Sequence, residues 1–559
     1  MKLNGARIII ETLIEQGCDT VFGYPGGQVL NIFDELYLNS GRITHIITAH
    51  EQGASHAADG YARASGRPGV VIATSGPGST NIVTGLATAY LDSVPVVAIT
   101  GNVPCSLLGR DSFQEVNIVD ITRTVTKRNW IVKDISQLAD TIREAFRTAV
   151  SGRPGPVLID VPKDVQAAEH EFVPMPAVTK LPPEKADDSA LDRAAEMIGS
   201  SERPYIYFGG GAVSGDASDE LLALSEKLDA PMGCSLMGLS AVSDDTPRFL
   251  GMQGMHGRFA SSKAEDEADL VIAVGVRFSD RATGNKERFA KNFRIIHIDI
   301  DGKELGKNIP ADIAIKGDIR DALKRLAGKL LKSSHPEWLE RVNALRAEEK
   351  RITDAFMRDT PENKLNPYVI IDTISRYASD CTIATDVGQH QMWTAQRFPF
   401  TARRQFLTAG GLGTMGYGMG AAIGACKATG KRSVLITGDG SFGMNLNELA
   451  AAVSHKVPLI IVIMNNGVLG MVRQWQTLFY NEHYSQTTLD RATDFVKLAE
   501  AFGAAGTRVF TERQLDEACK KAFAQNGTFI IDCAVDNDEF VLPMLPPGGS
   551  IDDMITKVN

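Results

Sequence analysis

The chain has 559 residues, too many for one hydrophobic core, and this length predicts three domains. Its 43% hydrophobic and 23% charged content is that of an ordinary globular protein. A formal net charge of −10, without any long Lys/Arg cluster, argues against nucleic acid or an anionic membrane as a partner.

Seven cysteines, at 18, 105, 234, 381, 426, 519 and 533, form no CxxC pair, so a disulfide framework or a zinc site is not expected and a reducing, cytoplasmic location is. The opening segment MKLNGARIIIETLIEQG has its isoleucine run cut short by Glu11 and reads as a helix of the first domain, not a signal peptide. The longest apolar runs are strand-sized, so no membrane span is expected.

In chain order, residues 1–170 alternate helices (4–16, 28–38, 51–64, 81–90) with short apolar strands (20–23, 45–48, 69–74, 94–100), the grammar of a parallel sheet wrapped in helices. Prolines at 174, 176, 182 and 183 among polar residues mark 171–188 as a linker. A second α/β block, 189–335, has strands at 204–208, 270–274 and 295–298. Its glycine turn Gly209-Gly210-Gly211 follows a strand and precedes a helix, where a dinucleotide would rest, although the spacing departs from GxGxxG. The segment 326–359 is charged and helical and reads as a solvated connector. A third block covers 365–545. The fold class expected is therefore α/β, with three doubly wound parallel-sheet domains.

The third block carries the most specific chemistry. Apolar strands at 433–437 and 458–464 flank a helix expected over 444–455, a right-handed βαβ unit. GDG, residues 438–440, ends the first strand and Asn465-Asn466 ends the second. Adjacent parallel strands lie about 4.8 Å apart, so Asp439 and Asn466 can place oxygens on one hard cation. Magnesium suits them, since it takes few protein oxygens and fills its octahedron with water and phosphate. Gly438 and Gly440 admit phosphates to the backbone, and the following helix offers its N-terminal amides. Either dipeptide alone would read as an ordinary turn; their joint placement points to a metal-diphosphate cradle.

In the first block, Glu51 follows the apolar strand HIIT and opens an Ala-rich helix, HEQGASHAADGYARASG. By itself a helix-opening Glu is a capping residue. At the mouth of a parallel sheet it also stands where ligands bind. Next comes ATSGPGSTN, a strand, a glycine turn and a helix start, which allows close approach of a flat ring.

The GDG and NN pair resembles the thiamine diphosphate signature. Nearly the whole chain is similar to the acetolactate synthase (acetohydroxyacid synthase) catalytic subunits, through FGYPGG (22–27), HEQG (50–53), TSGPG (74–78), SFQE (112–115), GRPGPVLIDVPKDVQ (152–166), GMHG (254–257), VRFSDRATG (276–284), DVGQHQMW (386–393), GGLGTMGYG (410–418) and NNGVLGMVRQW (465–475). The resemblance implies a pyrimidine-binding domain, a central FAD-binding Rossmann-like domain and a diphosphate-binding domain. It implies that pyruvate is decarboxylated on thiamine diphosphate and the hydroxyethyl carbanion condensed with pyruvate or 2-oxobutyrate. A catabolic acetolactate synthase, or another thiamine-dependent decarboxylase or carboligase, is the alternative.

Residue by residue, the resemblance makes Asp439, Asn466 and the carbonyl of Val468 the Mg²⁺ ligands and Glu51 the cofactor-activating acid. Gln389 and His390 hold the diphosphate with Gly438, Gly440 and Ser441, Gly26 lies at the cofactor, and Met415 supports its bend. Gln114 and Lys163 line the substrate approach; Arg281 and Trp475 select the second 2-oxoacid. FAD contacts fall on Gly209, Gly210, Gly211, Met255, His256, Arg277 and Asp299. The relatives imply a homodimer or homotetramer, with a small regulatory subunit as a further partner. Gln28, Ser279, Gly420 and Pro547 depart from the family pattern.

Overall fold

The computed structural model of the chain describes residues 1–357 and 360–557. Three six-stranded sheets follow one another, and every pairing within them is parallel.

The first sheet holds Thr20–Tyr24, Thr44–Ile47, Gly69–Ala73, Val96–Asn102, Arg128–Ile131 and Val157–Pro162. Numbered within the domain, these strands lie in the order 2-1-3-4-6-5. The third sheet, Thr382–Thr385, Phe406–Leu407, Ser433–Gly438, Leu459–Asn465, Ala505–Val509 and Phe529–Ala534, repeats that order. The central sheet, Pro204–Phe208, Met232–Cys234, Phe249–Met252, Leu270–Val274, Arg294–Asp299 and Ile313–Lys316, runs 3-2-1-4-5-6, the arrangement of dinucleotide-binding folds. Strands such as Leu270–Val274 are buried throughout and apolar on both faces, because helices cover both sides.

The first and third domains share one hydrophobic core: Phe22, Ala98 and Leu158 belong to the same cluster as Leu435, Ile461 and Ile530. Between the two sheets, helix Glu51–Ser65 crosses helix Tyr417–Thr429 almost backbone to backbone. A methyl group built on Gly424 would lie 1.9 Å from the Ala57 carbonyl oxygen, and one on Gly60 would lie 2.2 Å from that of Ala421. Small residues are therefore required there. Gly420, at a position where the resemblance leads one to expect proline, meets the Gly53 carbonyl at 2.6 Å in the same way.

Two expectations change. The segment read as a solvated connector forms helix Pro336–Phe356, whose Trp338, Val342 and Leu345 are buried with Phe259 and Ala264 of the central domain. Its charges occupy the other face; the expected end, Asp359, lies outside the described residues. The helix expected over 444–455 begins earlier, as Asp439–Asn445, and breaks at Leu446–Glu448 before resuming as Leu449–Ser454. Ahead of the linker, Glu169–Glu171 pairs antiparallel with Lys2–Asn4, and residues 172–187 then run without regular structure. Among the described residues no helix is long and apolar enough to cross a membrane.

Candidate active site

The C-terminal ends of the third sheet open into a cavity of about 1300 Å³ shared with the central domain. Asp439 follows strand Ser433–Gly438 directly, and Asn466 follows Leu459–Asn465; the two strands pair in register, Gly438 opposite Met464. Burial pushes the Asp439 carboxyl up to about 6, and its Oδ1 is buried without a hydrogen-bond partner. A buried carboxylate oxygen left unpaired is costly unless a cation takes it. Asn466 donates to Gln389 Oε1 at 3.3 Å and accepts the Val468 amide at 3.2 Å, which fixes its amide orientation toward the same space. Among the described residues no three His, Cys, Asp or Glu side chains converge as a metal cluster. One carboxylate, one amide oxygen and one carbonyl form a sparse all-oxygen set, and this fits Mg²⁺ rather than zinc.

Around this pair, His390 lies beneath Gly438, where an added methyl would meet its Nδ1 at 3.0 Å. Burial pushes the His390 ring down to about 3, so it is neutral, and its Nε2 is buried without a partner. Gln389 is braced by Gln474 at 3.1 Å and the Glu539 carbonyl at 2.7 Å. Ser441 donates to the Val387 carbonyl at 2.9 Å. Met415 lines the cavity on the turn Gly410–Gly416, and Asn445 holds that turn by donating to the Gly416 carbonyl at 2.7 Å.

The central domain forms the other half of the cavity. Gly210, Gly211, Met255, His256, Arg277 and Asp299 all line it, while Gly209 stands behind, its backbone against the Gly275 carbonyl. His256 Nδ1 and Gln253 Nε2 are buried without partners, so the wall presents polar atoms that a ligand would satisfy. Burial pushes Asp299 up to about 6 and holds His256 down at about 4. Arg277 donates to the Leu91 carbonyl at 2.6 Å, joining the central domain to the first. Arg281 and Trp475, from different domains, meet at the wall with the guanidinium 5.4 Å from the indole centroid, a cation–π contact.

Four predicted residues form a separate group. Gly26, Glu51 and Gln114 stand against the TSGPG turn at the C-terminal ends of the first sheet, Lys163 reaches Gly27 beside Gly26, and none of the four lines the cavity. Glu51 is half-buried and accepts Asn81 Nδ2 at 2.9 Å, and a methyl on Gly78 would lie 3.2 Å from its Oε1. Gly26 faces Thr74, Lys163 Nζ donates to the Gly27 carbonyl at 3.0 Å, and Gln114, at φ 59°, covers Gly76. One chain therefore holds two half-sites: an acid at a glycine turn, and a metal cradle in a cavity.

Sequence reasoning missed the side chains that tie these halves together. Asp92, Arg63 and Glu448 sit on helices, where charged residues read as surface. Asp92 alone carried a signal, since an acid ending a helix opposes the helix dipole.

A duplicated parallel-sheet frame with an acid at one glycine turn and a sparse oxygen cradle at the other defines a thiamine-diphosphate enzyme. The chain matches the family described as thiamine pyrophosphate enzyme in three parts: N-terminal TPP binding domain over residues 3–121, central domain over 191–326 and C-terminal TPP binding domain over 386–533. It is 43% identical to the probable acetolactate synthase large subunit of Methanocaldococcus jannaschii, over 100% of this chain and 96% of that protein. It is 42% identical to the acetolactate synthase isozyme 2 large subunit of Escherichia coli, over the full length of both. The mitochondrial acetolactate synthase catalytic subunit of Saccharomyces cerevisiae is also 42% identical, over 99% of this chain and 84% of its own. The chain belongs to the acetolactate synthase large subunits.

Proposed function

We propose that the protein decarboxylates pyruvate and joins the remaining two-carbon unit to a second 2-oxoacid. Pyruvate as acceptor gives 2-acetolactate and 2-oxobutyrate gives 2-aceto-2-hydroxybutyrate, the step that commits carbon to valine and isoleucine. The observation that carries this reading is the meeting of Arg281 and Trp475 on the wall of the cavity that also holds Asp439 and Asn466. A guanidinium holds a 2-oxoacid carboxylate with two parallel hydrogen bonds, and an indole beside it discriminates one alkyl length from the next by about 1–3 kcal/mol.

Thiamine diphosphate supplies the electron sink that lets a 2-oxoacid lose CO₂. Asp439, Asn466 and the Val468 carbonyl would hold Mg²⁺; Gln389, His390, Gly438, Gly440 and Ser441 would receive the diphosphate, and Met415 would support the cofactor. Glu51 would hydrogen-bond the pyrimidine, with Gly26 beside it, and would hold or return a proton there. Gln114 and Lys163 meet the incoming 2-oxoacid. The central half of the cavity would take FAD on Gly210, Gly211, Met255, His256, Arg277 and Asp299, with Gly209 shaping the turn behind them.

Glu51 and the cradle occupy separate half-sites of one chain, so a complete site needs two copies, as a homodimer or homotetramer. Exposed apolar side chains flank both half-sites: Phe113 at 86% and Tyr24 at 41% exposed on one, Met444 at 57% and Leu412 at 42% on the other. Such residues fit an interface between copies. A small regulatory subunit is a further partner, in keeping with the large-subunit relatives, and the cytoplasm is the expected compartment.

The test is an acetolactate assay on pyruvate with thiamine diphosphate and Mg²⁺, with and without FAD, together with the absorbance spectrum of the purified protein. CO₂ release without acetolactate would replace this reading with another decarboxylase or carboligase.

A further inference from the structure

Glu448 closes the segment that begins with Asp439. Its side chain is fully buried, and its two oxygens accept the amides of Ala49 at 3.1 Å and His50 at 3.0 Å, immediately before Glu51. A methyl on Gly53 would lie 2.0 Å from Glu448 Oε1, so a glycine in the first turn of the Glu51 helix is what admits the acid. Burial pushes Glu448 up to about 7 even though the two amides work against that shift.

Asp92 makes the same contact in the opposite direction. It ends helix Val83–Asp92, and its oxygens accept the amides of Gly410 at 3.0 Å and Gly411 at 2.7 Å, at the head of the turn that carries Met415. A methyl on Gly411 would meet Asp92 Oδ1 at 2.7 Å. An anion at a helix C-terminus opposes the dipole, and Arg63 compensates by pairing Asp92 at 2.9 Å and Asp59 at 2.6 Å. Burial works against the Arg63 charge, but Asp59, Tyr417 and Asp92 outweigh it. Thr88 adds a second strap, its hydroxyl 2.7 Å from that of Thr414 beside Met415.

Both acids lie in the helical connection between the third and fourth strands of their own domain. Both reach the turn that follows the second strand of the other. We infer that Asp92 and Glu448 are reciprocal positioning residues, each a buried carboxylate of one cofactor-carrying domain that sets, through two backbone amides, the working turn of the other. Glu448 fixes where Glu51 points and Asp92 fixes where Met415 points; what those turns do rests on the function proposed above.

The experiment is hydrogen exchange on the cofactor-free protein, read at segments 48–51 and 409–413, for wild type, Asp92→Asn and Glu448→Gln. Each variant replaces one accepting oxygen with an NH₂ group. Asp92→Asn is expected to speed exchange of 409–413 about tenfold and leave 48–51 unchanged, and Glu448→Gln to do the reverse. In the loaded enzyme, Glu448→Gln lowers kcat with cofactor affinity kept, whereas Asp92→Asn raises the cofactor concentration needed for half-saturation. A general loss of stability would speed both segments in both variants and would overturn the inference, as would the crossed exchange pattern with unaltered kinetics. If a variant does not fold, the wild type decides: its amides at 49, 50, 410 and 411 must exchange as slowly as the helices that follow, and fast exchange there refutes the clamp. Failure of the synthase reading shows separately, as absence of acetolactate from a wild type whose exchange pattern is intact.

Discussion

The first and third domains are two versions of one frame, and the register shows how closely. Ala73 lies opposite Thr100, and Thr100 opposite Asp160; Thr437 lies opposite Ile463, and Ile463 opposite Asp532. Two residues beyond Thr100, Asn102 donates to Asp160 at 2.6 Å, and two beyond Ile463, Asn465 donates to Asp532 at 2.9 Å. The same count places Ser75 where the third domain has Asp439, and Val103 where it has Asn466. The strut between strands is kept in both domains, and the donors proposed for the metal are present in one. Specialisation therefore required changes at the first residues beyond the strands, where side chains leave the sheet and the frame does not constrain them.

That contrast can be broken most sharply by exchanging effects between the domains. Glu51→Gln, in the first, is expected to lower kcat for CO₂ release by roughly 10²–10⁴ while Mg²⁺-dependent cofactor binding survives. A variant that turns over near the wild-type rate would remove Glu51 from its role. Asp439→Asn, in the third, should cost on the order of 100-fold in apparent Mg²⁺ affinity, measured by metal titration of activity. Ser75→Ala at the matching position should leave that affinity unchanged, because its hydroxyl has no partner to lose.

A smaller effect probes the shared crossing. Gly424→Ala must displace backbone at Ala57 and is expected to cost about 1–3 kcal/mol in thermal unfolding, whereas Gly199→Ala, with open space around it, should be close to neutral. The smallest is a pH effect in the first domain. Burial pushes Asp160 up to about 7, against the hydrogen bonds from Asn102 and Thr100. The folded state thus binds its proton more tightly than the unfolded chain, so this group's contribution is complete below its unfolded pKa and is lost as pH rises through about 7. Asp160→Asn should flatten the fall in the melting temperature of the cofactor-free protein between those limits; an unchanged profile would exclude Asp160 as its source.

Much of the frame was legible because buried parallel strands are short unbroken apolar runs: 204–208 and 270–274 are strands over those very residues. Edge strands as short as Phe406–Leu407 leave no such run. The connector helix was misread because its charges were counted, while Trp338, Val342 and Leu345, spaced by four and three, already marked a buried stripe. The cradle helix was misplaced for a different reason. Its break at Leu446–Glu448 carries Glu448 against partners hundreds of residues away, Ala49 and His50, which no local pattern reveals. At the site, the motifs led to side chains at the cavity and at the glycine turn of the first domain. They did not lead to Asp92, Arg63 or Glu448, whose polar atoms are taken up by backbone amides and by one another.

The crossing of Glu51–Ser65 over Tyr417–Thr429 has a mechanical consequence. Where main chain touches main chain there are no rotamers to give way, so a shift on one side arrives on the other undiminished. Each chain is thus a stiff strut between its acid half-site and its cradle half-site, and joining two such struts end to side would leave neither reaction centre able to settle without the other feeling the load.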